Sequence, residues 1–450
     1  MARSFKRQRH RRPQTSAPLP VVELAVERIS HDIRGIAYWQ DKPVFISGAL
    51  AGETVRARFT RNNARFAEAR AEAIIVASEQ RITPVCAHFG ECGGCQLQYM
   101  SAAEQLGLKQ NAVLDQLQRQ GGIVPEQILP TISLADTGYR SQARLGVWVS
   151  EQQTTLGFRR FNDRELTAIS HCPVLVAPLN DLLVPLRKLL SENASKSITH
   201  IAITETDGQC ALVLRHTQTL AQPVLAALSD FASRYHCDLW LQPNKDPYAL
   251  TDLDGRAVNP RMHYTLAEFD CTLALHPADF IQINSAVNRA MVTQALDLLG
   301  PTADEHVLDL FCGIGNFTLP LARRAGRVTG VEALESMVAR GRENALVNGL
   351  SNVDFMAADL NVTDAADLIK RIGPVDALLL DPPRDGAREV CENIQRLSPA
   401  RVVYVSCNPA TLARDAASLV GKGYRLHTFG VLDMFPHTSH VESMALFIRT

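Results

Sequence analysis

The sequence predicts a multidomain α/β chain that ends in a doubly wound parallel sheet, and three observations carry that reading. From Glu305 onward, short runs of β-branched and aliphatic residues alternate with helical segments and glycine turns, as buried parallel strands joined by crossover helices do. Between Val21 and Ser78 lie several short alternating strands separated by turn residues, the pattern of a small β-barrel. At 450 residues the chain is too long for one domain.

Composition narrows the class. With 46% apolar and 21% charged residues the chain has ample material for globular cores. No apolar run approaches the ~20 residues of a membrane span, and the basic N-terminus lacks an apolar signal core. The expectation is a cytoplasmic protein with no membrane partner. Ten cysteines in such a chain point to reduced thiols or metal ligands rather than disulfides. The net charge of −1 conceals an asymmetry, because Arg3, Lys6, Arg7, Arg9, Arg11 and Arg12 all precede the first acidic residue, Glu23. This arm, residues 1–20, suits a polyanion or a solvated tail.

Residues 21–80 read as a five-stranded, OB-like barrel built from Val22–Val26, Val44–Ile46, Thr54–Phe59 and Ala73–Val76, with turns at Gly35, Gly48–Gly52 and Asn62–Asn63. Arg56, Arg58, Arg61, Arg65 and Arg70 decorate it, which beside the basic arm favours an RNA-binding module. The stretch Gly48–Arg56 resembles the loop of the TRAM domain, an RNA-binding barrel attached to RNA-modifying enzymes.

A central α+β domain is expected over residues 81–275. It opens with Cys86, Cys92 and Cys95, three thiols in a C-x5-C-x2-C spacing with Gly93 and Gly94 between the last two. Thiols this close suit a soft metal centre, and Cys172 is the best candidate for the missing fourth ligand. Zinc would accept four thiolates, or His88 or His171 in place of one. An amphipathic helix is predicted over Ser101–Gln120, closed by Gly121 and Gly122. Strands follow at Tyr139–Val147 and Leu156–Arg160, where Arg140, Arg144, Arg159 and Arg160 are placed to meet phosphates or to be ordinary surface charge. From Leu183 to Leu275 no motif carries chemistry.

Residues 276–450 form the expected catalytic domain. The strand Glu305–Phe311, the glycine turn Cys312–Phe317, a helix over Thr318–Ala325 and the strand Arg327–Glu332 make an opening βαβ unit. Gly313 and Gly315 let the backbone approach a ligand at a helix N-terminus. Asp309 inside the first strand and the absence of a third glycine disfavour a pyrophosphate and favour the cationic S-adenosyl-L-methionine. Glu332 ends the second strand, where it can accept both ribose hydroxyls, and Asp359 follows Val353–Ala357, placed for the adenine amino group. Asp381-Pro-Pro-Arg384 leaves the fourth strand. The fifth, Val402–Val405, stops at Ser406-Cys407-Asn408-Pro409, which displays Cys407 at the edge where ligands of open α/β sheets sit.

Together with Phe280-Ile-Gln282-Ile-Asn284 and His437-Thr-Ser-His-Val-Glu442, these motifs resemble those of the RNA uracil-5-methyltransferases across residues 276–450. With the barrel and cysteines included, nearly the whole chain is similar to the members that act on bacterial 23S ribosomal RNA and carry an iron–sulfur cluster. The resemblance implies a Rossmann-like methyltransferase domain whose S-adenosyl-L-methionine site is lined by Gln282, Phe311, Asn316, Glu332, Asp359 and Asp381. It makes Cys407 the nucleophile and Glu442 the base, and it assigns Cys86, Cys92, Cys95 and Cys172 to a 4Fe-4S cluster. The partner it implies is 23S ribosomal RNA, bound by a monomer. Pro383 departs from relatives with alanine there.

The chemistry requires such a pair. Carbon 5 of uracil is a poor nucleophile until a thiolate adds at carbon 6, and the methylated ring must then lose the carbon-5 proton to a base. Three alternatives remain open at this stage: uridine methylation in another RNA such as transfer RNA, methylation of an adenine or guanine amino group as Asp381-Pro-Pro suggests, and an RNA-binding assembly factor without catalysis.

Overall fold

The computed structural model describes residues 19–150, 153–193, 196–360 and 365–450. The basic arm with Arg3, Lys6, Arg7, Arg9, Arg11 and Arg12 lies outside the described residues. The chain divides into two compact units, one ending at Arg81 and the other beginning at Ile82.

In the first unit, six strands rather than five make one sheet: Val21–Ala25, Arg28–Ile29, Gly35–Trp39, Lys42–Ser47, Thr54–Asn62 and Ala67–Val76, in the order first, fifth, sixth, fourth, third, second. The additional strand begins at Gly35, read from sequence as a turn. Gly35 is needed instead for close packing, since a Cβ there would sit 2.8 Å from Val26 Cγ1. Along Thr54–Asn62 the pleat buries Val55, Ala57 and Phe59 and turns Arg56 and Arg58 outward. At its end Arg81 grips the buried Glu53 through both carboxylate oxygens, at 2.6 and 2.8 Å.

The second unit contains two eight-stranded sheets. The central sheet runs in the order Leu166–Ala168, Thr154–Arg159, Gln142–Val149, Ile198–Thr206, Gln209–His216, Cys237–Gln242, Leu250–Thr251 and Ala257–Val258. The helices Ala177–Asn193 and Gln222–Tyr235 share a core with one of its faces, built around Leu145, Leu156, Ile201, Ile203, Leu212 and Leu239. A hairpin, Met262–Leu266 with Cys271–Leu275, leads into the helix Ser285–Leu299, capped by the Asn284 side chain.

The second sheet is ordered Val353–Ala357, Arg327–Glu332, His306–Leu310, Ala377–Leu380, Arg401–Ser406, Glu442–Arg449, Tyr424–Leu432 and Gln127–Ile128. Five parallel strands are thus extended by an antiparallel one, Glu442–Arg449, and by two beyond it. The helix after the glycine turn is shorter than expected, Thr318–Ala322.

The helix Ala102–Gly121 has the caps its sequence signals: Ser101 Oγ accepts from the Glu104 N–H at 3.2 Å, and Gly122 terminates it in the left-handed conformation. Yet this helix, expected within the central domain, places Val113 and Leu117 in one core with Leu412, Ala416 and Phe429 of the catalytic half, and Gln127–Ile128 joins the catalytic sheet. Among the described residues no helix is long and apolar enough to cross a membrane.

Candidate active site

The residues that carry chemistry collect at one edge of the second sheet because each of its parallel strands ends there. Phe311 follows His306–Leu310, Glu332 ends its strand, Asp359 stands two residues beyond Ala357, Asp381 follows Leu380 and Cys407 follows Ser406. The glycine turn is fixed by Phe311 and Cys312, whose N–H groups both donate to the Val331 carbonyl at 2.9 and 3.1 Å. Phe311 has φ +65° and Gly315 has φ +103°, and a Cβ on Gly315 would stand 3.1 Å from both Leu319 and Phe355.

Glu332 bridges this turn to the next helix, accepting from the Gly313 N–H at 3.3 Å and the Leu334 N–H at 3.1 Å. Each of its oxygens keeps a lone pair for a further donor. Asn316 is held in a reciprocal amide pair with Asn288, at 3.0 and 2.9 Å, and accepts from the Tyr264 hydroxyl at 3.0 Å, which leaves one N–H free to donate. Gln282 lines a cleft of about 40 Å³ with the same Tyr264 and Asn288, so Gln282 and Asn316 share a neighbourhood. Asp359 is exposed at the far strand.

Acids crowd this edge. Burial pushes the Asp309 carboxyl up to about 8, with Asp381 and Glu332 adding to the shift and the Thr318 hydroxyl, 2.6 Å away, opposing it. Asp309 Oδ1 is buried without a partner among the described residues. Burial also raises Asp381 to about 7. Buried acids of this kind favour a bound cation, and a sulfonium beside an α-ammonium group has that chemistry.

The candidate nucleophile, Cys407, and the candidate base, Glu442, are brought together by strand pairing. Arg401–Ser406 and Glu442–Arg449 run antiparallel with Ser406 opposite Ser443, so Cys407 directly follows the last paired residue of one strand while Glu442 opens the other. Burial, then the Glu442 and Asp381 charges, push the Cys407 thiol up to about 11, while Arg384 opposes the shift. Glu442 is raised well above the carboxylate range by burial, with Asp381 adding and Arg384 again opposing. The two loops are stitched together: Asn408 Nδ2 and Thr411 Oγ1 both donate to the Arg384 carbonyl, at 2.9 and 3.2 Å.

Sequence reasoning missed the residues that hold the loop before Glu442. Lys109 donates to Asp433 at 2.9 Å and to the Phe435 carbonyl at 3.1 Å, and both members of the ion pair are almost fully buried. Gln105 accepts from the His437 N–H at 2.9 Å, and Gln96 and Leu97 donate to the His437 carbonyl at 2.9 and 3.0 Å. A signal was present: the buried stripe of this helix is Gln105, Lys109, Val113 and Leu117, so two polar residues occupy core positions at helical spacing.

Cys86, Cys92, Cys95 and Cys172 all line one cavity of about 100 Å³, walled by Phe89, Tyr139, Phe158 and Ile169, with His88 and His171 also at its surface. Burial raises the Cys92 and Cys172 thiols and lifts Cys95 to about 12, and the neighbouring thiols push each the same way. The Gly94 N–H points at Cys92 Sγ from 3.4 Å. Among the described residues no three or more His, Cys, Asp or Glu side chains are grouped so as to hold one metal ion.

The fold and this edge define the class: an S-adenosylmethionine-dependent methyltransferase. The structure of the Pyrococcus abyssi tRNA (uracil-54, C5)-methyltransferase in complex with S-adenosyl-L-homocysteine superposes with a TM-score of 0.72 at 21% identity, covering 95% of this chain and all of that one. A family model described as tRNA (uracil-5-)-methyltransferase matches residues 265–450. Proteins named 23S rRNA (uracil(1939)-C(5))-methyltransferase RlmD are similar over nearly the full length. That of Pseudomonas fluorescens is 44% identical over 94% of this chain and 91% of its own, and that of Hahella chejuensis 42% identical over 98% and 99%. The chain belongs to the RlmD family of uracil-C5-methyltransferases.

Two measurements test this geometry. The Cys407 thiol is raised, so it is neutral at pH 7 and becomes thiolate only as the pH climbs toward about 11. Iodoacetamide alkylation of the Cys407 peptide, followed by mass spectrometry, will accelerate through that range, and Glu442→Gln will move the rise to lower pH by removing a repelling charge; an identical profile refutes the pairing. Lys109→Met leaves Asp433 buried and unpaired and will cost about 3–5 kcal/mol in denaturant unfolding, most of it recovered in Lys109→Met with Asp433→Leu.

Proposed function

We propose that this protein methylates carbon 5 of a uridine in 23S ribosomal RNA, the nucleotide equivalent to that in its relatives' names, with S-adenosyl-L-methionine as methyl donor. The observation that carries the reading is that Cys407, just past the last paired residue of its strand, lies within reach of the Glu442 charge at the start of the neighbouring strand, beside a group of buried acids with the chemistry to receive a cation. Cys407 adds to carbon 6 of the uracil, and the resulting enolate takes the sulfonium methyl at carbon 5. Glu442 removes the carbon-5 proton, and Cys407 leaves by β-elimination. Arg384, which favours the anionic form of both groups, assists each ionisation. Gln282, Phe311, Asn316, Glu332, Asp359 and Asp381 hold the donor, Glu332 through the lone pairs its backbone contacts leave over. Amino-group methylation needs neither a thiol nor such a base.

Three roles divide the chain: residues 21–80 as a TRAM-like RNA-binding module, 81–275 as a central domain with a metal centre, and 276–450 as the catalytic domain. For the cysteines the reading is a 4Fe-4S centre held by Cys86, Cys92, Cys95 and Cys172. The four thiols line one largely apolar cavity, and an all-thiolate donor set suits a soft iron–sulfur centre. The methylation scheme contains no electron transfer, and the Gln96–Leu97 contacts to His437 point to a structural role.

Cys407→Ala will abolish methyl transfer while calorimetric cofactor affinity persists, and Glu442→Gln will accumulate a methylated RNA–enzyme adduct resolvable on a denaturing gel. Substantial turnover by Cys407→Ala, or 5-methyluridine lost only from transfer RNA when the gene is deleted, overturns the reading. Protein purified without oxygen will carry about four irons and lose cooperative melting in Cys95→Ser; one zinc and no iron refutes the cluster.

A further inference from the structure

The central sheet has a second face, and its composition is unlike that of an ordinary solvated surface. Alternation along the strands sends Leu145, Val147, Ile201, Ile203, Leu212 and Leu214 toward the two helices, so their neighbours face the other way. The register lays those neighbours side by side. Arg144 is opposite Ala202, His200 is opposite both Gly146 and Arg215, and Trp148 is opposite Thr155. Two steps beyond the last pair, Gly146 with Gly157, the same register brings Arg159 to the level of Arg144. The Arg144, Arg159 and Arg215 guanidiniums all act on His200, whose pKa is lowered by burial first and then by these three charges.

Trp148 is 68% exposed on this face. Among the described residues Arg144, Arg159 and Arg215 form no ion pair, whereas Arg160, the next residue along the strand, is paired with both Glu91 and Glu165. A groove of about 430 Å³ is lined by Arg140, Arg144, His200 and Arg215 together with Pro277 to Phe280, which precede Gln282 in the chain. Its one carboxylate, Asp279, is neutralised by Arg340 at 2.6 Å. Cations of a single sign with an exposed aromatic among them, on a sheet face continuous with the catalytic half, match what single-stranded nucleic acid requires: a phosphate track and a π-surface for a base.

We propose that this open face of the central sheet binds a single-stranded stretch of the substrate RNA beside the target uridine, with Trp148 stacking on a base and Arg144, Arg159 and Arg215 holding phosphates. The proposal rests on the reading of RNA as substrate and deepens it by naming a surface outside both the barrel and the catalytic edge.

The test uses the full-length, metal-loaded protein and a fluorescent RNA oligonucleotide containing the target uridine, with affinity measured by anisotropy over a range of salt. Trp148→Ala will weaken binding by about ten- to a hundredfold, and Trp148→Phe will restore most of it. Arg144→Gln and Arg215→Gln will each flatten the slope of log affinity against log salt by about 0.7. In turnover, KM for RNA rises while kcat at saturating RNA stays unchanged. Melting temperature and S-adenosyl-L-homocysteine affinity stay at wild-type values, which separates lost contact from lost folding. Wild-type affinity and salt slope in Trp148→Ala and in the double arginine variant overturn the proposal. Wild-type protein that binds RNA through these residues but methylates no uridine would overturn the proposed reaction and leave the surface standing.

Discussion

The site depends on one antiparallel pairing, that of Glu442–Arg449 with Arg401–Ser406. All the other catalytic-sheet strands that bear candidate residues run parallel, and a parallel strand presents only its last residues at the ligand edge. A strand running the other way presents its first residue there. Glu442 therefore arrives at the edge from the opposite direction to Cys407, near enough for its charge to act on the thiol. The geometry is as rigid as the hydrogen-bonded ladder behind it, since Val402, Val403, Tyr404 and Val405 are fully buried against Phe447, Leu446, Ala445 and Met444.

Rigidity places several acids where they repel each other. Asp309, Asp381 and Glu442 are each raised by burial, and Cys407 is raised in part by its acidic neighbours. Burial thus favours the protonated form of each of these groups. A cation bound among these groups reverses the balance, because a nearby positive charge favours the ionised form of each. Arg384 supplies a standing part of the same field at Cys407 and Glu442.

The loop before Glu442 is secured from far away in sequence. The Lys109–Asp433 pair is buried, so its Coulomb gain is offset by desolvation, and it contributes more to where the loop sits than to net stability. Gln105, Gln96 and Leu97 fix His437, five residues before Glu442, and Gln96 directly follows Cys95 at the cysteine-lined cavity. The Cys86–Cys95 segment is thereby tied through Gln96 and Leu97 to the loop that leads to Glu442.

By itself the sequence determined whatever a few consecutive residues decide. Each parallel strand is a short apolar run, and the residue after it, Phe311, Asp381 or Cys407, falls at the ligand edge as soon as the strand exists. The caps of Ala102–Gly121 and the glycine turn at 313–315 were legible for the same reason, because the atoms that satisfy one another are a few residues apart. The tertiary structure alone decided what pairs across long stretches of chain. Nothing local places Glu442 near Cys407, Lys109 against Asp433, or the Ala102–Gly121 helix in the catalytic core. Nor could strand periodicity show which face of the central sheet the helices would cover, and so that Trp148, Arg144 and Arg215 would be left together on the open one. Hydrogen bonds and helical periodicity act over a few residues, whereas register, sheet order and buried ion pairs are settled only when distant segments pack.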